Sequence, residues 1–556
     1  MLRRLFAPPE HRASYLEHNI AERVVGGTVV GAWVRIQNTG AKIWQLHHPE
    51  GRRVDLVVRC DGEVWATHRM PVAEVGPREQ VVVHFPLRTP AAVGRHTISI
   101  DLVEQGVSSF SALGVRPLVV EIRTDAVARD ASAELYEEAT RITPWHYQPT
   151  RGIQLASDGG RYPLFAARAS GCHLWDPEGR RYLDYVMGWG SALLGYNHPE
   201  IVAAIRDAMD CAPVVPLAHP REVEVARMLV EDIPCAEMVV FGKNGSDVCT
   251  LAARVARVFT GRTTILYCGY HGWGDWWVEQ VGFAASGVPD RPRPLVHRFR
   301  FNDLADFTRL FEQHRGDLAA VMLEPAGPGE DGGLREDADR GFLESIAAMT
   351  REARALVVYD EIMTGFRHPG GSAQKGTGVV PDIACFGKGL AAGMPLSALV
   401  GRADVLQRAM AHTHYGPTYR GEVYSLAAAR AALGIYRREP VAEHVRRHGE
   451  ALRAGVQALC VEHNVAARMV GPAFRMGLSF AERDPRRLAL KRSLYTQELL
   501  RAGLVTYDGV MLPSYAHDDE AEAAALTAIG RALSVVGRAD REDALHRYVE
   551  IPPPSS

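Results

Sequence analysis

The chain carries no Cys-x-x-Cys pair, although it has eight cysteines among its 556 residues. Cys60, Cys172, Cys211, Cys235, Cys249, Cys268, Cys385 and Cys460 are scattered. That spacing suits neither a zinc site nor a disulfide framework, and it fits reduced thiols. No stretch reaches the roughly 20 consecutive apolar residues that a membrane-spanning helix requires. The opening, MLRRLFAPPEHRASYLEHN, has charge but no apolar core of signal-peptide length. An excess of one charge is also missing. The formal net charge is −3, from 63 Lys and Arg against 66 Asp and Glu, so there is no electrostatic basis for binding nucleic acid or a membrane surface. No internal repeat is visible. These absences lead to the expectation of a cytoplasmic protein that acts on small molecules. What is present is ordinary globular composition, 47% hydrophobic and 23% charged, over a length that calls for two or three domains.

Two kinds of periodicity divide the chain. After an N-terminal segment of residues 1–19, residues 20–125 alternate with period two in GTVVGAWVRIQNTG, RRVDLVVRCDGEVWATHRM, EQVVVHFPL and GRHTISIDLVEQG. Short β-rich runs separated by turn residues predict an antiparallel β-sandwich, with Trp33, Trp44 and Trp65 in its core. Residues 126–150 read as a linker with a helix, AVARDASAELYEEATRI. From 151 to 540 apolar strands alternate with longer helical patterns: EMVVFG, TTILYCG, LAAVMLEP, ALVVYDE and DIACFG, with SDVCTLAARVARVF and LESIAAMTREAR between them. This order predicts an α/β fold with a mainly parallel, doubly wound large domain at about 206–405. A smaller α+β lobe would come from 151–205 and 406–540, with FRMGLSF and LVTYDGVMLPS as strands. Residues 541–556, ending in IPPPSS, read as a tail.

Four strand ends carry chemistry. Asp360 stops the apolar run Leu356 to Tyr359, where a carboxylate needs a cationic partner or caps a helix. Asn244-Gly245-Ser246 leads from a strand into a helix, whose first N–H groups and dipole suit a phosphate. Asp247 would lie close to that anion, so its side chain must turn away to cap the helix. Tyr270, at another strand end, either paves one face of a flat ligand or packs in the core. Lys388 stands between Gly387 and Gly389, 28 residues after Asp360 and again past a strand. A flat ligand with a phosphate, a ring nitrogen and an aldehyde would use all four features. Pyridoxal 5'-phosphate is such a ligand, held by a lysine Schiff base with an acidic partner for the ring nitrogen.

At these residues the chain resembles the class III aminotransferases among fold-type I pyridoxal phosphate enzymes, in particular the glutamate-1-semialdehyde 2,1-aminomutase branch. The resemblance runs from about Gly152 to Ala532. It is carried by GCHLWDPEGRRYLDYVMGWGSALLGYNHPEI, YHG, LEP, YDEIMTGFR, PDIACFGKGLAAGMP and GPTYRGEVYSLAAA. It implies that Lys388 forms the internal aldimine, that Asp360 pairs with the pyridinium, and that Gly245 and Ser246 hold the phosphate. It further implies Tyr270 on one ring face and Ile362 on the other. Thr418 matches the threonine that reaches the neighbouring subunit's cofactor, so a homodimer is implied as well. Glu324 and Arg367 match family positions, either as structural ion pairs or as substrate contacts. Trp189 would wall the substrate pocket, with Ser191 nearby.

Some positions depart from the family pattern. Ser-Gly-Thr-Glu-Ala is here Asn244-Gly245-Ser246-Asp247-Val248, which keeps a hydroxyl at Ser246. The aminomutase branch binds its substrate carboxylate with an arginine in Ser-Pro-Val-Arg. Here the region reads QLASDGGRYPLF, with Arg161 as the stand-in. The branch's asparagine after Glu-Pro is replaced in EPAGPGE by Gly329. Both changes weigh toward a ping-pong aminotransferase using an amino donor and a carbonyl acceptor, and away from an intramolecular aminomutase. The N-terminal sandwich resembles immunoglobulin-like modules of polysaccharide-export and sugar-modifying proteins. That likeness points toward carbohydrate or secondary-metabolite substrates, with a dimer-buttressing role as the alternative. A glycan-binding scaffold with a vestigial enzyme domain is the remaining reading.

Overall fold

The computed structural model describes residues 12–25, 29–45, 53–70, 72, 74–90, 92–106, 108–125, 131–143, 165–274, 295–328 and 334–549. The N-terminal unit is two β-sheets on one core. In the first, Val29–Asn38 pairs antiparallel with Ala13–His18 and with Gln80–Arg88. In the second the path runs Arg23–Val25, Leu118–Asp125, Gly94–Glu104, Val54–Cys60, Glu63–Arg69. Its outermost pair, Arg23–Val25 with Leu118–Asp125, is parallel. Alternate residues turn inward, so Val34, Ile36 and Phe85 of one sheet meet Leu56, Ile98 and Ile100 of the other, all fully buried. The strand Ala13–His18 belongs to this unit, so it begins before the boundary drawn at residue 20.

Trp33 and Trp44 are in that core, but Trp65 is 39% exposed. The register explains the difference. Val58 pairs with Ala66 and Arg59 with Val64, which leaves Trp65 as the extra residue of a β-bulge. Ala66 and His68 face the core, His68 against Phe85, so alternation along the strand turns Trp65 to the outer face, and the bulge leaves Val64 exposed beside it.

Cys60, Asp61 and His96 bring potential ligand atoms within 4.8 Å of one another, the one such group among the described residues. The hydrogen bonds assign it differently. His96 Nδ1 faces Asp61 Oδ2 at 2.8 Å and its Nε2 faces the Ala92 carbonyl at 2.9 Å. Neither acceptor can donate, so the ring needs both protons. These contacts, the Asp61 hydrogen bond first, raise the His96 pKa, while the His96 bond lowers that of Asp61. A raised histidine contributes stability that is complete below its unfolded pKa of about 6.5 and fades as pH rises through the folded value. The lowered aspartate contributes above its unfolded pKa of about 3.9 and fades as pH falls. The sandwich's thermal midpoint is therefore expected to fall from pH 6 to 8, and to fall less in His96→Gln. A wild-type midpoint that is flat over that range would contradict the assignment.

The second unit holds a seven-stranded sheet. Its strands in chain order are β1 Met238–Gly242, β2 Thr264–Cys268, β3 Val296–Arg298, β4 Leu318–Leu323, β5 Leu356–Asp360, β6 Ile383–Phe386 and β7 Ser397–Gly401. Their spatial order is β1-β7-β6-β5-β4-β2-β3. Only β7 runs antiparallel to its neighbours. Both faces are covered, which accounts for the continuous apolar strands. Ile265, Met322, Val358 and Cys385 pack with the helix Gly245–Thr260 on one side. Leu266, Val321, Val357 and Ala384 pack on the other with the helices Leu304–His314 and Arg340–Glu352. Because β1, β2, β4, β5 and β6 share one direction, their C-terminal ends collect on one edge.

The lobe boundaries differ from those drawn on periodicity. The helix Val423–Arg438 gives Leu426, Ala429, Leu433 and Ile435 to the large domain's core, and Leu193 and Ile201 join the same cluster. The large domain thus extends from about 193 to 438. The smaller lobe packs Leu183, Tyr185 and Ala192 with Leu452, Leu494, Ile529 and Val549. Its strand Arg181–Asp184 pairs in parallel with Leu504–Val505. Residues 541–549 are part of the fold and not of a tail. Leu545 and Val549 are buried, Arg547 bonds Glu17 at 2.8 Å, and the His546 ring meets Trp33 edge-on at 5.2 Å.

Candidate active site

Lys388 follows β6 with φ of +45°, the left-handed region that non-glycine residues enter at a cost of about 1–3 kcal/mol and that clusters at functional sites. The short turn Lys388–Ala391 is held from behind by Tyr436, whose hydroxyl donates to the Gly389 carbonyl at 2.6 Å. The lysine keeps part of its surface open, yet protein surrounds it closely enough that its amine is lowered to about 8. Burial is the main cause, followed by the guanidiniums of Arg475 and Arg367, while Glu324 and Asp360 oppose it.

Asp360, at the end of β5, is buried and well supplied with donors. His271 Nδ1 lies 2.7 Å from Oδ2, and the Ile362 N–H donates to Oδ1 at 3.0 Å. The Cys249 thiol approaches Oδ2 at 3.6 Å from the adjoining helix. His271 was quoted in the YHG motif but given no role by the sequence reading. Its position beneath Asp360 depends on how the segment after β2 folds.

The helix Gly245–Thr260 begins beyond β1. Its first-turn N–H groups have no intrahelical acceptor. Asp247 does turn back, accepting from the backbone N–H groups of Lys243 at 3.1 Å and Asn244 at 2.8 Å, so its charge is spent on the cap. A Cβ at Gly245 would press on Ile362 at 3.2 Å, and one at Gly272, where φ is +114°, would lie 2.8 Å from the Ser246 Cβ. Gly272 is closed to any side chain, and a side chain at Gly245 would need Ile362 to give way. The Ser246 hydroxyl accepts the Trp273 N–H at 3.3 Å, which leaves its proton free to be donated. Backbone amides, a hydroxyl and close-fitting glycines at a helix start fit the phosphate of pyridoxal phosphate. A lysine and a buried acid on adjoining strand ends fit its aldehyde and ring nitrogen.

Around these, Tyr270 is half-exposed, and its N–H donates to Glu324 Oε1 at 2.9 Å. Ile362 is half-buried, touching the positions of both Gly245 and Gly387. Glu324 pairs through Oε2 with Arg475 at 3.0 Å, a residue not singled out from sequence because nothing in FRMGLSF shows which strand end it faces. Arg367 is buried and donates to the carbonyls of Met363 at 3.0 Å and Gly190. Trp189 lies in a left-handed turn, Met187 to Gly190, with φ of +48°, +56°, +60° and +77°. Its ring meets Tyr507 edge-on at 4.6 Å. Asp184 holds the turn by accepting the N–H groups of Val186 and Met187 at 2.7 and 3.0 Å. The Ser191 hydroxyl is committed to the same turn, donating to the Gly188 carbonyl at 2.6 Å. Thr418 is on an exposed turn and joins none of these contacts. Arg161 and Gly329 lie outside the described residues.

The chain is similar over most of its length to known enzymes. The family model described as aminotransferase class-III matches residues 155–533. The 3-aminobutyryl-CoA aminotransferase of Cloacimonas acidaminovorans is 30% identical over 411 residues, 73% of this chain and 97% of that protein. A glutamate-1-semialdehyde 2,1-aminomutase of Haloquadratum walsbyi is 35% identical over 360 residues, 62% of this chain and 77% of that protein. Among solved structures, the internal aldimine form of the FumI protein from Sphingopyxis sp. MTA144 superposes with a TM-score of 0.69 at 28% identity, covering 76% of this chain and 99% of that one. The β-phenylalanine aminotransferase of Variovorax paradoxus gives 0.60 at 28% identity, covering 74% and 98%. The chain belongs to the class III aminotransferases, pyridoxal phosphate-dependent enzymes of fold type I.

Proposed function

We propose that this enzyme moves an amino group from a small-molecule donor to a carbonyl acceptor by a ping-pong cycle. The observation that carries the reading is the meeting of Lys388 with the Asp360–His271 pair at one sheet edge. Pyridoxal phosphate, when bound, supplies an aldehyde that condenses with amines and a ring that accepts electrons from an adjacent bond. Gly245, Ser246 and the helix start hold its phosphate, Asp360 holds a proton at the ring nitrogen, and Tyr270 and Ile362 confine the ring. Lys388 Nζ, with a pKa lowered to about 8, takes and returns a proton at the amine-bearing carbon near neutral pH. Arg475, paired with Glu324 beside Lys388, is the cation available to an acidic group on the substrate.

A second copy of the chain completes the site through Thr418. Support comes from the exposed apolar residues Met209, Leu217, Val223 and Tyr419. Their segments are tied together where Val423 N–H donates to the Pro213 carbonyl at 2.9 Å. The eight free thiols suit a reducing, cytoplasmic setting. The sandwich, bonded to the C-terminal helix through Glu17 and Arg547, acts as a buttress.

The test is a half-reaction on the loaded enzyme without acceptor. Two relatives are named for amines on a β carbon, so the donor screen starts with β-amino acids and extends to amino sugars. One equivalent of carbonyl product per subunit is expected. The 35% identity to an aminomutase supports the second reading, an intramolecular aminomutase. Repeated turnover of a single amino-aldehyde, with no acceptor, would select it. A screen in which no donor discharges the cofactor would overturn the aminotransferase reading.

A further inference from the structure

We propose that Cys249 is a positioning residue for Asp360: its thiol donates to Oδ2 and, with His271 and the Ile362 N–H, keeps the carboxylate aimed. The inference rests on the reading of Asp360 as the partner of the ring nitrogen. The sulfur lies 3.6 Å from Oδ2, within thiol hydrogen-bond range, and residue 249 is on the first two turns of the helix whose start forms the phosphate cradle. One helix therefore serves both ends of the cofactor site. Cys249 is 1% exposed, packed among Val248, Ala252, Ile265 and Met322, where a donor has no water to turn to.

Cys385, on β6, is a further polar neighbour of Cys249 and lies directly across from Asp360 in the sheet register. The Cys385 thiol has its own acceptor, the Val248 carbonyl at 3.6 Å. The neighbouring Cys385 thiol, burial and the Asp360 charge push the Cys249 pKa well above the thiol range, so the sulfur stays protonated and serves as donor rather than as a second anion. Donors on both carboxylate oxygens fix the plane of Asp360, so the Cys249 thiol helps to set where Oδ2 stands relative to the ring nitrogen that Asp360 would pair with. Thiols are weak donors, so the contribution is expected to be modest beside that of His271.

Two measurements test this. The S–H stretching band of the cofactor-free protein is read by infrared difference against Cys249→Ala, with Cys385→Ala as the reference thiol. The Cys249 band is expected below that of Cys385, because its acceptor is charged, and is expected to move up in Asp360→Ala. In the loaded enzyme, Cys249→Ala is expected to lower kcat by about 3- to 10-fold with little change in KM, and Cys249→Ser to recover most of it. A Cys249 band that does not move in Asp360→Ala, or a serine variant no better than alanine with the fold intact, would overturn the proposal. The infrared result requires no amino transfer, so its failure is separable from failure of the functional reading.

Discussion

Lys388→Ala is expected to lower turnover by roughly ten-thousand-fold, because one substitution removes both a covalent anchor and the proton carrier. The loss should be accompanied by disappearance of borohydride-trapped cofactor from the peptide around residue 388, while the protein remains folded. Lys388→Arg separates the two functions of charge and chemistry. Its guanidinium stays protonated at any working pH, so it should be as inactive as alanine. The pH profile provides a second check. An amine lowered to about 8 is a usable base when neutral, and Lys388 is a free amine only once substrate has displaced it, so kcat for the wild type should rise through about pH 8 and level above it. Because burial leads that lowering, ahead of Arg475 and Arg367, Arg475→Met should move the rise upward only part of the way to an ordinary lysine. Activity in the alanine variant within tenfold of wild type would remove the basis of the proposed mechanism.

Asp360→Asn is expected to slow the half-reaction by roughly a hundred- to a thousand-fold, the range seen when one preorganised electrostatic contact is removed. Asparagine keeps one oxygen for the Ile362 N–H and places its NH2 where Oδ2 met His271 Nδ1, which accepts there as the other tautomer, so the buried network loses a charge and not its shape. The expected result is a large fall in the rate of proton removal, measured by stopped-flow with a fixed donor, and a small change in thermal midpoint. Asp360→Ala should be slower still and less stable, since it takes the Oδ2 contact away from the buried His271 ring. A rate for Asp360→Asn within fivefold of wild type would show that the acid is only a helix or turn cap.

Much of the site was legible because its residue types are unusual where they stand. A lysine between two glycines after a buried strand, and an aspartate closing an apolar run, conflict with ordinary burial preferences. Asp247 was legible for the same reason, since a carboxylate at an anion site has to be occupied by something else, and the backbone of Lys243 and Asn244 occupies it. His271, Arg475 and Asp184 were not. Each acts through a partner more than 50 residues away or through a turn, and neither relation has a periodicity. Trp65 failed differently: its strand was right, but the face was not, because Ala66 and His68 are the residues that turn to the core.

The sequence by itself determined the two classes of unit, their order, and the strand ends that carry lysine, acid and glycine. Alternation of side chains and the choice of residue at a strand's end are local, and they are written in consecutive letters. The tertiary structure alone decided that the helix Val423–Arg438 completes the large core, that residues 541–549 bind the sandwich, and that Cys249, His271 and Asp360 share one buried contact. Those outcomes depend on which apolar faces find one another across long loops, a choice made by the packing of the whole chain and by no single segment of it.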